Sequence, residues 1–336
     1  ENLNNIIKCY LNTINYYIYN MTKQAIVTTT IYPVSEATKK FATFKDWHLY
    51  IVGDTKTPHA EYEEFCKNHD NVSYLSPDYQ EEHFKEISDL IGWKSIQRRN
   101  IGFLQALKDG AEIIASVDDD NIPLDIWGQN IMIGKPTNVY YYETDEIAFD
   151  AIGVTNYPEL WHRGFPIQNL HQRNNKYKIT RKTIVPDIQA DFWNGDPDID
   201  AVCRLEHKPM CFFDDKYFPL ATNTFSPFNS QNTFFSREAM KKYFVIPYPG
   251  VGRMDDIWPS YYVQSLGLNV VYNQATVFQD RNIQDLTKNL TMEFIGYEKT
   301  KDLLPALKEN PENFKDFLPE YSQKFMDKYL SVAEKM

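Results

Sequence analysis

The first third of the chain alternates between short apolar runs and segments in which apolar residues recur at helical spacing. The apolar runs predict buried strands at 24–32, 47–53, 72–75 and 113–117. The helically spaced segments predict helices at 35–44, 59–68 and 94–109. This order of elements indicates an α/β fold with an open, mostly parallel sheet and helices on both faces.

The pattern changes after residue 120. Short strands are predicted in a region rich in proline, asparagine and aromatic residues, near 137–142, 183–189, 210–213 and 232–236. Helices at 237–244 and 255–266 and strands at 269–273 and 275–279 follow, before a polar segment with helical spacing. We therefore predict an N-terminal extension (1–22), one main domain (23–284, with halves 23–120 and 121–284) and a helical C-terminal segment (285–336).

Composition and charge narrow the possible functions. The net charge is −11 at pH 7 and there is no long basic run, which argues against a nucleic-acid-binding surface. No stretch reaches the ~18–20 consecutive apolar residues of a membrane span, so no span is expected in this chain. The four cysteines show neither CxxC nor zinc-site spacing, which fits a reducing, cytoplasmic location.

Three acidic residues, Asp118, Asp119 and Asp120, directly follow the apolar run at 113–117. Ligands of open α/β sheets bind at the carboxyl ends of strands, and adjacent carboxylates repel one another unless a cation offsets their charge. Because hard divalent cations prefer oxygen ligands, Asp118 and Asp120 are predicted to hold Mg²⁺ or Mn²⁺ beside a diphosphate, with Asp280 as a further ligand. The alternative is an acidic turn that caps a helix.

The ends of the first two predicted strands carry further polar residues. Thr28, Thr29 and Thr30 could hold a nucleobase, and Asp54 could accept a hydrogen bond from a ribose or base. The alternative is that threonine simply favours strands and aspartate favours turns.

Basic and amide residues lie on the predicted helix that leads to the acidic strand, at Arg98, Arg99 and Asn100. A guanidinium here could pair with a diphosphate or with the aspartates. Adjacent helical residues point about 100° apart, so one arginine is expected to reach the site and the other to be solvated.

Two later segments combine carboxylates with tryptophan. The first, 191–200, contains Trp193 and the carboxylates Asp196, Asp198 and Asp200, a combination that suits a sugar whose C–H face stacks while its hydroxyls donate. An exposed acidic turn is the alternative.

The second segment, 250–259, contains two glycines that permit close backbone approach, followed by Asp255, Asp256 and Trp258. A carboxylate near an acceptor hydroxyl could act as a general base, and Trp258 could contact the acceptor. Simple capping of the following helix is the alternative.

Together these segments resemble the nucleotide-sugar glycosyltransferases of the GT-A fold, with a DxD motif at Asp118–Asp120. The resemblance is closest to the STELLO glycosyltransferase-like family and more distant to plant reversibly glycosylated polypeptides. It spans roughly residues 24–300 and rests on RRNIGFLQAL (98–107), IIASVDDDNIP (113–123), NGDPDIDAVCRL (194–205), DDIWPSYYVQ (255–264) and VFQDRN (277–282).

The resemblance implies a GT-A-like (Rossmann-like) catalytic domain. A nucleoside diphosphate sugar, with UDP-sugars favoured, would bind the half at 23–120, and a glycan or protein acceptor would bind the half at 121–284. It implies sugar transfer to an acceptor hydroxyl with Mn²⁺ or Mg²⁺ held by the DxD motif. A Golgi-type lumen is the alternative location if an anchor precedes this chain.

One departure from the family pattern concerns the metal: many GT-A enzymes place a late histidine on it, and no histidine follows His207. A sugar-nucleotide mutase, which the plant relatives suggest, and a non-catalytic sugar-nucleotide-binding scaffold that kept the fold stay open as alternatives. A nucleotidyltransferase is disfavoured because Thr28–Tyr32 contains no glycine, and no P-loop motif is present.

Overall fold

The computed structural model describes residues 23–281 and 284–336, so the predicted extension at 1–22 lies outside the described residues. Within the described ranges, eleven strands form one mixed sheet. They are Gln24–Thr30 (β1), Trp47–Gly53 (β2), Val72–Leu75 (β3), Ile113–Val117 (β4), Asn121–Pro123 (β5), Thr137–Glu143 (β6), Lys178–Ile184 (β7), Ile188–Gly195 (β8), Leu220–Thr222 (β9), Asn232–Ser236 (β10) and Val270–Gln279 (β11).

The strand order places the ends of several strands at one edge of the sheet. The order is β3-β2-β1-β4-β10-β8-β11-β9-β6-β7, and β5 pairs with β11. Strands β1 to β4 are parallel, β10 is antiparallel to β4 and β8, and β8 and β11 are again parallel. The carboxyl ends of β1, β2, β4, β8 and β11 and the amino end of β10 therefore share one edge, called here the carboxyl edge.

Helices flank this sheet, and the predicted α/β fold with a largely parallel sheet is confirmed. They are Glu36–Phe41 (α1), His59–Lys67 (α2), Pro77–Ile91 (α3), Arg99–Lys108 (α4), Ala201–Glu206 (α5), Arg237–Met240 (α6), Ile257–Ser265 (α7), Leu286–Glu309 (α8) and Glu320–Ala333 (α9). Helix α4 packs closely on the sheet at Gly102, where any side chain would overlap Val27 and Val52. This close approach brings the first turn of α4 to the carboxyl edge.

Some predicted elements differ from the structure. Helix α3 was not predicted, although Ser76 caps it by accepting from the Tyr79 N–H at 3.2 Å and Pro77 suits the first helical position. The predicted helix at 94–109 begins at Arg99 and is preceded by one 3₁₀ turn.

Three strand predictions also need correction. The predicted strand at 183–189 is interrupted between β7 and β8, where Pro186 has no N–H to donate to a neighbouring strand. At 210–213 only an isolated bridge between Cys211 and Gly195 forms. The two strands predicted at 269–279 are one strand, β11, with a register shift between Asn273 and Val277.

One hydrophobic core connects the sheet with the C-terminal helices. It includes buried residues from Ile26 of β1 to Tyr329 of α9. The predicted C-terminal helical segment is present as α8 and α9, whereas the division into functional halves stays a prediction. Among the described residues, no helix is both long and apolar enough to cross a bilayer.

Candidate functional site

Three adjoining cavities open along the carboxyl edge. The arginine cavity, of about 230 Å³, is lined by Arg99, Arg163, Arg253 and Arg281 together with Asp118, Asp198, Asp255 and Asp256. The threonine cavity, of about 300 Å³, is lined by Thr29, Thr30, Tyr32, Asp54, Ser95 and Asp119. The aspartate cavity, of about 230 Å³, is lined by Tyr32, Asp119, Asp120 and Asp280. Ile96 lines the first two and Asp119 lines the last two, so the cavities are neighbours.

Arg99 connects the acidic segment to the sheet. Its Nη2 lies 2.5 Å from Oδ1 of Asp118, and its Nη1 donates to the carbonyl and hydroxyl oxygens of Ser230 at 3.0 and 3.1 Å. This pair results from the antiparallel insertion of β10 beside β4, which places Ser230 next to the end of β4. Asp118 is thereby held in place before any ligand binds.

Arg98 has a structural role and is not solvated, contrary to the prediction for the second arginine. Its guanidinium donates to Oε1 of Gln80 at 2.7 Å and to the Ser88 hydroxyl at 2.8 Å, and it stacks on Trp93. Asn100 is also buried, where it exchanges hydrogen bonds with the backbone of Val245 at 2.7 and 2.8 Å. Both residues fix the edge of the site, and Arg98 also lines the threonine cavity.

Asp120 is a half-buried carboxylate with one buried oxygen that no positively charged group or donor of the described residues contacts. Its Oδ1 has no hydrogen-bond partner. Burial, together with the charges of Asp118 and Asp119, raises the pKa of Asp120 to about 7, although Arg281 opposes this shift. Burial likewise raises the pKa of Asp119. A cation at Asp120 would satisfy this oxygen and offset the repulsion.

The predicted metal ligands do not form a complete cage. Among the residues that the structure describes, no three acidic, histidine or cysteine side chains are grouped so that they could hold a metal ion. Asp118 is paired with Arg99, while Asp280 lines the aspartate cavity with Asp120. Asp120 therefore fits a cation that takes most of its ligands from water and phosphate, as Mg²⁺ commonly does.

A buried ion network surrounds Asp198 at the end of β8. Arg163 donates to Oδ2 of Asp198 from Nη2 at 2.7 Å, and Arg253 contacts Oδ1 at 3.2 Å. Burial by itself would raise the pKa of Asp198, but the charges of Arg163, Arg281 and Arg253 outweigh it and lower the pKa. No local sequence pattern indicated Arg163, which lies 35 residues from Asp198.

The two adjacent carboxylates before α7 have different surroundings. Both oxygens of Asp256 are occupied: Oδ1 accepts from Arg163 at 3.0 Å and Oδ2 from the Ser230 N–H at 3.0 Å. Asp255 accepts from Nε2 of Gln97 at 2.6 Å. Burial and the charge of Asp256 raise the pKa of Asp255 to about 6, and Arg163 partly opposes this. Asp255 is therefore the less neutralised of the two.

The polar residues at the ends of β1 and β2 line or border the threonine cavity. The hydroxyls of Thr28 and Thr29 are buried without a partner, while Thr30 accepts from the Tyr32 N–H at 3.1 Å. Asp54 accepts from the backbone N–H groups of Lys94 and Ser95 at 3.0 and 2.9 Å. Burial opposes the effect of these donors, but together with Thr55 they lower the pKa of Asp54.

The two predicted sugar-stacking tryptophans are both buried. Trp193 is 2% exposed and packs against Phe192 and Phe213. Trp258 is fully buried and donates from Nε1 to the Thr300 hydroxyl at 3.0 Å. Since β8 and α7 bury these rings in the core, neither can stack on an acceptor, and this prediction needs correction.

The predicted carboxylates that flank Asp198 also have structural partners. Asp196 pairs with Arg204 and lies 3.7 Å from Nε of Arg281. Asp200 is buried and caps α5 by accepting from the Val202 N–H at 2.8 Å, so it is not part of an exposed acidic turn either. The segment 191–200 thus supplies one carboxylate, Asp198, to the arginine cavity.

Arg163 is expected to be essential for folding stability. Arg163→Met would leave Asp198 and Asp256 buried with fewer counter-charges, which should lower the free energy of unfolding by about 3–5 kcal/mol. Urea denaturation followed by circular dichroism measures this loss. The control is Arg181→Met on the exposed strand β7, where the guanidinium stacks on Tyr140, and a loss of at most about 1 kcal/mol is expected. Equal stability of the two variants would show that the network around Asp198 contributes nothing.

Comparison with known proteins shows two similar sequences, and no protein-family model matches the chain. Over 242 residues, 67% of its length, the chain is 26% identical to probable glycosyltransferase STELLO2 of Arabidopsis thaliana, of which 31% is covered. It is 25% identical over the same length to probable glycosyltransferase STELLO1 of that plant, of which 30% is covered. The chain thus spans about a third of the length of the curated relatives it matches. These similarities confirm the predicted resemblance of the chain to the STELLO glycosyltransferase-like family.

Proposed function

We propose that this chain is a metal-dependent glycosyltransferase of the GT-A type, which moves a sugar from a nucleoside diphosphate sugar to an acceptor hydroxyl. The observation that supports this most directly is the arrangement of the carboxyl edge. The unsatisfied carboxylate of Asp120, the cation of Arg281 and the accessible carboxylate of Asp255 lie in adjoining cavities. The similarity to two probable glycosyltransferases agrees with this function.

The nucleoside would bind in the threonine cavity. Thr29 lines this cavity, and its hydroxyl, which has no partner, offers a hydrogen bond at the end of β1. Asp54 orders the backbone at Lys94 and Ser95, which closes the other side of this cavity. We favour a UDP-sugar because the cavity is small, about 300 Å³, and a pyrimidine needs less room than a purine.

The diphosphate would lie between Asp120 and Arg281. The side chain of Arg281 is 8% exposed, and its Nε has no hydrogen-bond partner. Oδ1 of Asp196 lies 3.7 Å from Nε, and Oδ1 of Asp198 lies 3.7 Å from Nη2. Burial, with the nearby charges of Arg204 and Arg253, lowers the pKa of Arg281 despite the charge of Asp198. A buried guanidinium with a free donor is suited to a phosphate oxygen.

Mn²⁺ or Mg²⁺ would be held by Asp120, with Asp118 and Asp280 nearby. The bound cation would neutralise the negative charge on the departing diphosphate, a contribution of several kcal/mol. Arg99 keeps Asp118 in place, so the protein side of this site is formed in advance.

Asp255 would act as the general base on the acceptor hydroxyl. A carboxylate with a pKa of about 6 is ionised at neutral pH and is more basic than an ordinary aspartate. Asp256 instead holds Arg163 and Ser230 in position through both its oxygens. Direct displacement assisted by this base would invert the anomeric carbon.

A thermal-shift screen tests this function. UDP-, GDP-, CMP- and dTDP-sugars are compared with Mn²⁺ and with a chelator in its place. One nucleotide class should raise the melting temperature only with Mn²⁺, because a ligand of the native state stabilises it by RT ln(1 + [L]/Kd). No shift with any donor would contradict the proposal. A metal-dependent shift without hydrolysis or transfer of any donor would favour the non-catalytic binding scaffold.

A further inference from the structure

Tyr248 is an exposed aromatic side chain at the mouth of the arginine cavity. Its side chain is 65% exposed and lines this cavity together with Asp255. Ile96, 56% exposed, lines the same cavity, whereas the apolar side chains of Val245, Ile246 and Val251 are buried. The cavity thus has accessible apolar surfaces at Tyr248 and Ile96, together with half-buried Met292, beside charged groups.

The backbone around Tyr248 is restricted. Pro247 precedes it and Pro249 follows it, and the Gly250 N–H closes the turn by donating to the Pro247 carbonyl at 3.0 Å. Proline fixes its own φ angle and limits the residue before it to extended conformations. A Cβ at position 250 would lie 2.6 Å from the Pro247 carbonyl oxygen, so glycine is required for this turn. A backbone restricted in this way loses little conformational entropy when a ligand covers the side chain that it carries.

This turn is tied directly to the candidate base. The Ile246 N–H donates to the Asp255 backbone carbonyl at 2.9 Å, so the backbone before Tyr248 is hydrogen-bonded to the backbone of the residue that carries the candidate base. Gln97 fixes the Asp255 side chain from the opposite wall. A ligand that covers the Tyr248 ring would therefore present its polar groups to Asp255 at a defined position.

The chemistry of this corner matches a sugar ring. One face of a pyranose is a patch of C–H groups that can lie flat on an aromatic ring, while its hydroxyls donate to carboxylates and accept from guanidinium groups. Tyr248 supplies the aromatic ring, Asp255 a carboxylate that accepts hydrogen bonds, and Arg253 a guanidinium that donates them. The volume of about 230 Å³ is below the roughly 300–1,000 Å³ typical of sites for drug-sized ligands, which suits one monosaccharide unit.

We infer that Tyr248 is the platform for the acceptor and that the acceptor is a carbohydrate, not a serine or threonine hydroxyl of a protein. A peptide hydroxyl has no C–H face to cover the ring. This inference rests on the proposed function, since it assigns the acceptor class of the same site. Tyr248, and not the buried Trp193 or Trp258, would then be the aromatic residue that contacts the acceptor.

Saturation-transfer NMR tests the inference with methyl glycosides of glucose, galactose, mannose and xylose. Each is added to wild type in the presence of UDP and Mn²⁺. At least one glycoside should receive saturation on its ring C–H protons. In Tyr248→Ala the affinity for that glycoside should fall about tenfold, and Tyr248→Phe should retain it. Tyr321→Ala, on the surface of α9 outside the cavities, is the matched control and should bind like wild type.

The outcomes separate this inference from the proposed function. UDP affinity, measured by calorimetry with Mn²⁺, should agree within about twofold in Tyr248→Ala and wild type. If UDP binds but no glycoside does, or if Tyr248→Ala binds the glycoside undiminished, the inference is wrong. A large loss of UDP-sugar affinity in Tyr248→Ala would instead place the ring under the donor sugar and also overturn it. If UDP does not bind wild type, the donor site itself fails.

Discussion

Asp120→Asn is expected to lower kcat/KM for sugar transfer roughly a thousandfold or more, because a bound cation contributes several kcal/mol to the transition state. Asparagine keeps the size of the side chain and removes the charge that would hold the metal. The measurement is the initial rate of transfer or donor hydrolysis across a Mn²⁺ titration. Asp125→Asn, an exposed carboxylate paired with Lys40, is the matched control and should leave the rate unchanged.

Without metal, Asp120→Asn should stabilise the protein although it lowers the activity. The pKa of Asp120 is about 7 in the folded protein, against an ordinary value of 3.8. The folded state therefore binds more protons between these values, and the stability of the wild type should fall as the pH rises from about 4 to 7. Asp120→Asn should remove this decrease and raise the melting temperature at pH 7.5 in a chelator. If Asp120→Asn transfers sugar as fast as the wild type in the Mn²⁺ titration, the acidic segment is a structural turn and not a metal site.

Asp255→Asn is expected to lower kcat by about 10²–10⁴-fold, the usual contribution of a general base. In the wild type, activity should be lost as the pH falls through about 6, because Asp255 is then protonated and cannot accept the hydroxyl proton. The variant should lack this acidic limb while its donor affinity stays close to that of wild type. Steady-state rates between pH 5 and 8 measure both effects.

Two further variants make this result specific. Asp302→Asn removes an exposed charge on α8 and should preserve both the rate and the pH profile. Asp256→Asn should lower activity and stability together, because Asp256 positions Arg163 and Ser230. If the rate of Asp255→Asn still falls at acidic pH as it does in the wild type, another group is titrating and Asp255 is not the base.

Local patterns in the sequence were sufficient for the strands of residues 23–120. Apolar runs end at Thr28–Thr30, Gly53 and Val117, and the parallel pairing of β1, β2 and β4 brings these ends to one edge. Helix α3 could also have been predicted, since Ser76 and Pro77 are a standard start signal. These features depend on neighbours within a few residues.

The ion network was beyond sequence reasoning. Arg163 meets Asp198 and Asp256 across 35 and 93 residues, and no local spacing encodes such a meeting. The assignment of Asp255 and Asp256 to different roles likewise depends on which carboxylate Arg163 reaches.

By itself, the sequence determined the α/β fold, the position of the acidic segment after β4 and the resemblance to STELLO glycosyltransferases. Only the tertiary structure decided that Arg99 and not Arg98 meets Asp118, that Trp193 and Trp258 are buried, and that Tyr248 is exposed at the cavity. The physical reason is that periodicity reports which face of a single element is apolar. Which side chains remain accessible, and which charges neutralise each other, depends on how distant elements pack together.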